Sequence, residues 1–314
     1  MPASAACARL RRVTSTWPCG SSVRTVARLV PRLVSAALLA AADAFQPARR
    51  AGTGVHTCPA IAAPPHGLID HRDYVCRVPS LRLLAGRVWL YPSDPDPGKV
   101  QPCVAVIADD SGSVVVDAGN SPAHARDVRN AVEAAGLPAP HTIVYTHHHW
   151  DHVWGACAWP DVEIVGHRLG ARILEAEARR PWSTRYLRDE VAGNPRLGPS
   201  FRARERAMRT WDGFAILPPQ VEFDTAISLP AGVEVRHIGG RHAEDSTVVW
   251  VPDSGVVLLG DSFYPPPYHL RRPGDGYDHE VINTVLRVYR DAEWYVDSHD
   301  DPRPRSVLDD LLNG

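Results

Sequence analysis

Thr146-His147-His148-His149-Trp150-Asp151-His152 is the stretch on which the reading of this chain turns. It follows Thr142 to Tyr145, an apolar run short enough to be one buried strand. Folds of the α/β kind place ligand-binding loops at such strand ends. In extended backbone, residues two apart point the same way. His147 and His149 can therefore reach one metal ion together, while His148 points elsewhere. Asp151 and His152, just beyond, can reach a second point a few ångströms away. Aspartate supplies a hard oxygen and histidine a borderline nitrogen, a mixture that suits zinc. A surface histidine run that binds metal casually is the plainer alternative. It accounts for neither the aspartate at a fixed offset nor the strand in front of it.

Working outward, Arg87 to Tyr91, Val104 to Ile107 and Ser113 to Val116 read as strands, the last ending at Asp117-Ala118-Gly119. Ser121 is placed to N-cap a helix with Pro122 in its first turn. Ala125, Val128 and Val132 recur at helical spacing, and Gly136 closes the run. Downstream, strands are expected at Val162 to Val165, Ala226 to Leu229, Val233 to Ile238, Thr247 to Val251, Val256 to Leu259 and Trp294 to Val296. Helices are expected at Arg202 to Trp211, Val281 to Tyr289 and Val307 to Leu312. Strand blocks interleaved with helices in both halves point to two sheets covered by helices on their outer faces. Taken singly, Asp117 and Asp261 read as turn or cap residues, and His242 and His299 as satisfied polar residues. Their joint order and spacing reverse that.

Together these segments resemble the metallo-β-lactamase superfamily. Thr146 to His152 matches its H-x-H-x-D-H signature, with His147, His149, Asp151 and His152 in the ligand places. In order after it come Gly239-Gly240-Arg241-His242, Leu258-Leu259-Gly260-Asp261, and His299 behind the strand that starts at Trp294. The resemblance covers roughly residues 80 to 314. It implies a four-layer αββα sandwich, two mixed sheets flanked by helices, with two Zn2+ at one edge. His147, His149 and His242 would form the first metal site, and Asp151, His152 and His299 the second, with Asp261 bridging both. Iron or manganese are the alternative metals. Two zinc ions about 3.5–4 Å apart can share a water and lower its pKa toward neutrality. Asp151 would then also orient the nucleophile, which puts it with Asp117 among the catalytic candidates. Asp117 would act as the carboxylate that supports the metal loop, a role Glu244 or Asp245 could share. Tyr264 and His269, in the proline-rich loop after Asp261, are the candidate substrate contacts.

The expected activity is hydrolysis of a small-molecule ester, lactone, thioester or amide. β-Lactamases of the superfamily commonly carry cysteine or serine at the place of Asp261, and aspartate there is closer to its glyoxalase II and lactonase branches. β-Lactam hydrolysis stays an alternative, as do a mononuclear iron oxygenase of the persulfide-dioxygenase kind and a phosphodiesterase or nuclease. A formal net charge of -2 gives no global basic field, so no nucleic-acid partner is expected. The arginines between Arg172 and Arg209 are interleaved with Glu175, Glu177, Asp189, Glu190 and Glu205, as on a solvated helical face. Residues 168–222 are expected to form a lid over the metals. Trp182, Tyr186, Trp211 and Phe214 would either line a pocket there or pack the lid onto the body.

Residues 1–77 read as a disordered or signal-like extension ahead of a hydrolase domain at 78–314. They hold no acidic residue before Asp43, and their apolar run, Leu33 to Phe45, is too short to span a bilayer. A cytoplasmic location is the expectation, with secretion through this atypical segment as the alternative. The six cysteines form no C-x-x-C pair and leave the redox compartment open.

Overall fold

The computed structural model describes residues 80–313. The expected extension at 1–77 lies outside the described residues. Strands β1 (Arg82–Ala85), β2 (Val88–Tyr91), β3 (Val104–Ile107), β4 (Ser113–Val116), β5 (Pro140–Val144), β6 (Glu163–His167) and β7 (Val221–Phe223) form one sheet in that order. Its first four strands are antiparallel and the rest join in parallel from β4 onward. The second sheet runs β13-β12-β11-β10-β9-β8. Its strands are β8 (Ala226–Ser228), β9 (Glu234–His237), β10 (Thr247–Val251), β11 (Val256–Gly260), β12 (Trp294–Asp297) and β13 (Arg303–Pro304). There β11 and β12 are parallel and the other pairs antiparallel. Both sheets are thus mixed.

Side-chain alternation along the strands builds the layers. On β3 and β4, Ala105, Ile107, Val114 and Val116 face inward, against Val249, Val251, Val256 and Leu258 of the second sheet. Their neighbours Val104, Val106 and Val115 face outward, onto helix α1 (Pro122–Ala134) and helix α2 (Trp150–Val153). On the far side Val248, Val257 and Leu259 pack against α6 (His279–Val288) and Leu308 of α7 (Arg305–Asn313). Three apolar layers alternate with two sheets, which is the expected αββα sandwich. Among the described residues no helix is long and apolar enough to cross a membrane.

Local signals set several boundaries. Ser121 Oγ accepts from the His124 amide, Pro122 sits in the first turn, and Gly136 takes the left-handed φ of 66° that ends α1. The expected helix at Arg202 to Trp211 is shifted: α5 spans Gly198–Ala207. Pro199 favours the earlier start. Past it, Thr210 and Asp212 bond each other and Gly213 turns left-handed, so the chain leaves the helix. Two more helices, α3 (Arg168–Glu177) and α4 (Thr184–Gly193), complete the arginine-rich segment. Trp182, Trp211 and Phe214 pack edge-on against Trp154, and Tyr186 against Trp182, so these aromatics tie the helices to the body.

His124, on α1, is 3% exposed and packs against the Tyr91 ring at 5.5 Å. Burial pushes its pKa down to about 4, with only a small opposing pull from Asp94. The folded state therefore resists protonation that the unfolded chain accepts near 6.5. This stability is complete above pH 6.5 and is lost as the pH falls toward 4, by about 3 kcal/mol in all. Denaturant unfolding at several pH values should show wild type losing this much relative to His124→Leu. A pH-independent difference between the two proteins would contradict the assignment.

Candidate metal centre

The histidine-rich loop leaves the C-terminal end of β5, an interior strand between β4 and β6, and His149, still extended, is the N-cap of α2. His147 and His149 thus come from extended backbone, while Asp151 and His152 project from the first helical turn. The second sheet supplies His242 after β9, Asp261 directly after β11 and His299 after β12. The structure brings these residues together in two groups whose candidate ligand atoms lie within 4.8 Å of one another: His147, His149 and His242, then Asp151, His152, Asp261 and His299.

In the first group His149 Nδ1 lies 2.8 Å from His147 Nε2 and 3.0 Å from His242 Nε2. His242 Nδ1 donates to the Pro265 carbonyl at 2.9 Å, which leaves its Nε2 as an inward lone pair, and the one proton His149 Nδ1 could carry would have to serve both of its neighbours. In the second group Asp151 Oδ2 lies 3.2 Å from His299 Nε2 and 3.3 Å from His152 Nε2. Asp261 touches both groups, with Oδ2 3.3 Å from His242 Nε2 and 3.5 Å from His299 Nε2, and Oδ1 3.5 Å from His152 Nε2. His152 Nε2 and Asp261 Oδ1 are buried without a hydrogen-bond partner. Inward lone pairs, two carboxylates and orphaned buried atoms are the donor set that a pair of divalent cations would satisfy.

Asp117 lies behind this set. It holds a left-handed φ of 64°, a conformation aspartate tolerates better than most residues. Its carboxylate accepts from the Thr146 amide at 2.8 Å and from the Thr146 hydroxyl, and its Oδ2 sits 2.7 Å from His152 Nδ1. It therefore fixes both ends of the loop and leaves His152 Nε2 facing inward. It does not line the cavity described below. Asp245 does a related job, its Oδ1 2.7 Å from His148 Nδ1, while Glu244 is exposed. Close backbone contact completes the frame. The Thr247 amide donates to the Thr146 carbonyl at 2.8 Å, and a Cβ on Gly155 would lie 2.0 Å from the Ala118 carbonyl.

The sequence profile of the Metallo-beta-lactamase superfamily matches residues 97–297, a span that holds all of these residues except His299. The chain belongs to the metallo-β-lactamase superfamily. Structures of superfamily members share its fold. The metallo-beta-lactamase from Hirschia baltica superposes with a TM-score of 0.52 at 19% identity, covering 74% of this chain and 96% of that one. The metallo-beta-lactamase from Pontibacter korlensis does so with a TM-score of 0.51 at 19% identity, covering 74% and 97%. At such identities the likeness speaks for the fold alone. In sequence, the chain is 28% identical over 196 residues to 2,4-dinitroanisole O-demethylase subunit alpha from Nocardioides sp. (strain JS1661). That match takes in 62% of this chain and 51% of the relative, so the chain spans about half the length of the curated relative it matches.

Within this superfamily fold the electrostatics of the two groups differ. Burial, and then the neighbouring histidines, push His147 and His149 well below the usual imidazole pKa. Burial also opposes charge on His299, but Asp261 and Asp151 outweigh it and push its pKa up to about 10. For Asp151, burial favours the neutral acid, yet His152 and His299 more than reverse this and hold it below the carboxylate range. His147 and His149 are therefore neutral nitrogens, and the second group pairs charged carboxylates with histidine.

A cavity of about 520 Å³ opens over the centre, with His149, Asp151, His242, Asp261 and His299 on its wall. Of the two candidate substrate contacts, His269 lines it. Tyr264 does not, and its hydroxyl donates to Asp300 at 2.8 Å. The arginine-rich segment contributes Arg202, Arg204 and Arg206 of α5. Neither Arg204 nor Trp150 stands out in the sequence as a cavity residue. For Arg204 a signal existed: it has no acidic residue three or four positions away on its helix, unlike Arg185 with Asp189.

Proposed function

We propose that this chain is a zinc-dependent hydrolase with a two-metal centre, attacking a small-molecule ester, lactone, thioester or amide carbonyl. The observation that carries this reading is Asp261, whose two oxygens reach histidines of both groups. His147, His149 and His242 would hold one ion, Asp151, His152 and His299 the other, and Asp261 would link them. Zinc bound there would supply a hydroxide nucleophile at neutral pH and polarise the bond to be broken. Asp151, at the cavity wall, would accept a hydrogen bond from that nucleophile and so aim its lone pair at the substrate carbon. Asp261 would set the separation of the two sites, and Asp117 would keep His152 in the tautomer that presents Nε2. Residues 168–222 would act as a lid, since α5 forms one wall of the cavity and helps keep bulk water out.

The O-demethylase relative favours a second substrate class for the same centre. Its name specifies an aryl methyl ether activated by nitro groups. Hydroxide would add to the electron-poor ring carbon that bears the methoxy group, and that carbon would then lose methoxide, which leaves as methanol once protonated. The addition resembles attack on a carbonyl carbon and needs the same aimed nucleophile. A panel of lactone, thioester, β-lactam, phosphodiester and activated aryl-ether reporters separates these classes. The expected result is turnover of a carbonyl or aryl-ether reporter that a chelator abolishes and added zinc restores. Turnover indifferent to chelator, or oxygen uptake that tracks bound iron, would overturn the reading. Cleavage confined to the phosphodiester would move the protein to the nuclease class.

A further inference from the structure

The cavity wall carries a cation that the protein leaves unneutralised. The Arg204 guanidinium lies 4.4 Å from the ring centroid of Phe201, 5.4 Å from Trp150, 5.5 Å from Trp154 and 5.8 Å from Trp182. Its Nε is buried with no hydrogen-bond partner. Nearby arginines of the same segment find carboxylates, Arg180 with Glu177 at 2.9 Å and Arg188 with Glu205 at 2.7 Å. Among the described residues the Arg204 side chain forms no ion pair and no hydrogen bond, though it lines the cavity. Aromatic faces hold a guanidinium in place, but they do not replace acceptors for its N–H donors. Burial pushes its pKa down to about 10, partly offset by Asp151, which leaves it charged at neutral pH.

The other arginines of the lining also lack a carboxylate partner among the described residues, although Arg206 and Arg271 donate to the Gly98 and Pro266 carbonyls. Arg202, Arg206 and Arg271 also face the cavity, and its only carboxylates among the described residues are Asp151 and Asp261, in the candidate metal centre. The uncharged wall includes the rings of Trp150, Pro199, Pro267 and Tyr268. A volume of about 520 Å³ suits a single substituted ring.

We propose that this cavity takes an arene bearing a carboxylate, with the carboxylate forked onto Arg204 and the ring along the Trp150 and Tyr268 wall. This deepens the hydrolase reading and rests on it only for which bond is then cleaved. A planar guanidinium pairs a planar carboxylate through two N–H donors at once, which a lysine cannot reproduce.

Ligand-observed NMR titration of the full-length protein as purified tests this, with benzoate as the probe and nitrobenzene as its neutral isostere. Benzoate is expected to bind about tenfold or more tighter than nitrobenzene. Arg204→Met should bring benzoate down to the nitrobenzene level, and Arg204→Lys should weaken it several-fold, with thermal melting confirming that each variant is folded. Should Arg204→Met not fold, Arg204→Lys decides alone. Benzoate affinity unchanged in the folded variants would place the carboxylate elsewhere, on the metals for instance, and overturn the proposal. Equal binding of benzoate and nitrobenzene would overturn it too. Chelator-indifferent turnover would sink the hydrolase reading and leave this binding result standing.

Discussion

Replacing Asp261 with alanine is expected to abolish turnover and to lower zinc affinity by about 100-fold or more, while the domain still unfolds in one cooperative transition. Among the described residues, Asp261 is the one carboxylate within 3.5 Å of His152, His242 and His299 together. Without it, the first group keeps only imidazoles and the second keeps only Asp151 as a carboxylate. Two dications would then face too little negative charge to stay close together. The fold does not depend on this side chain, because the inter-sheet core is apolar and lies elsewhere. Asp261→Asn separates charge from shape: it retains the volume and should lose nearly as much metal. Zinc competition against a chromophoric chelator reads the affinity directly. Wild-type affinity in Asp261→Asn would show that the carboxylate is not a ligand.

Asp117→Asn should give the second-largest effect, and through a different route. Asparagine tolerates the left-handed backbone at this position and can still accept from Thr146. Its amide nitrogen, however, would face His152 Nδ1 as donor against donor. The ring would answer by moving its proton to Nε2, where the lone pair toward Asp151 and Asp261 is now held. A loss of about 10–100-fold in zinc affinity is expected, against only about 1–3 kcal/mol of folding stability. A purely structural role would reverse this, lowering the melting temperature while leaving the folded protein with full affinity for zinc.

What could be read from sequence was what local chemistry determines. The strands Val104–Ile107, Ser113–Val116 and Thr247–Val251 stand where their apolar runs ended. α1 begins and stops on its own caps, Ser121 and Gly136. The histidine loop was legible because four of its metal candidates fall within a few residues of one strand end. Contacts between distant segments were not legible. Asp245 was expected beside the metal loop, but that its partner is His148, 97 residues away, is announced by neither residue. The place of Arg204 depends on how α5 docks over Trp154, and the start and end of α5 were themselves misread. Edge strands escaped for another reason: β1 is partly exposed and β13 is two residues long, so neither carries a core pattern. Tyr264 was singled out for standing near Asp261, but its hydroxyl is occupied by Asp300 and it does not reach the cavity.

Elemental analysis of the full-length protein, after zinc reconstitution and removal of loosely held metal, tests the central claim most directly. About two zinc ions per chain, reduced below one in Asp261→Ala, is the result the two groups and their shared carboxylate predict. A single iron per chain, or zinc content that Asp261→Ala leaves unchanged, would contradict it.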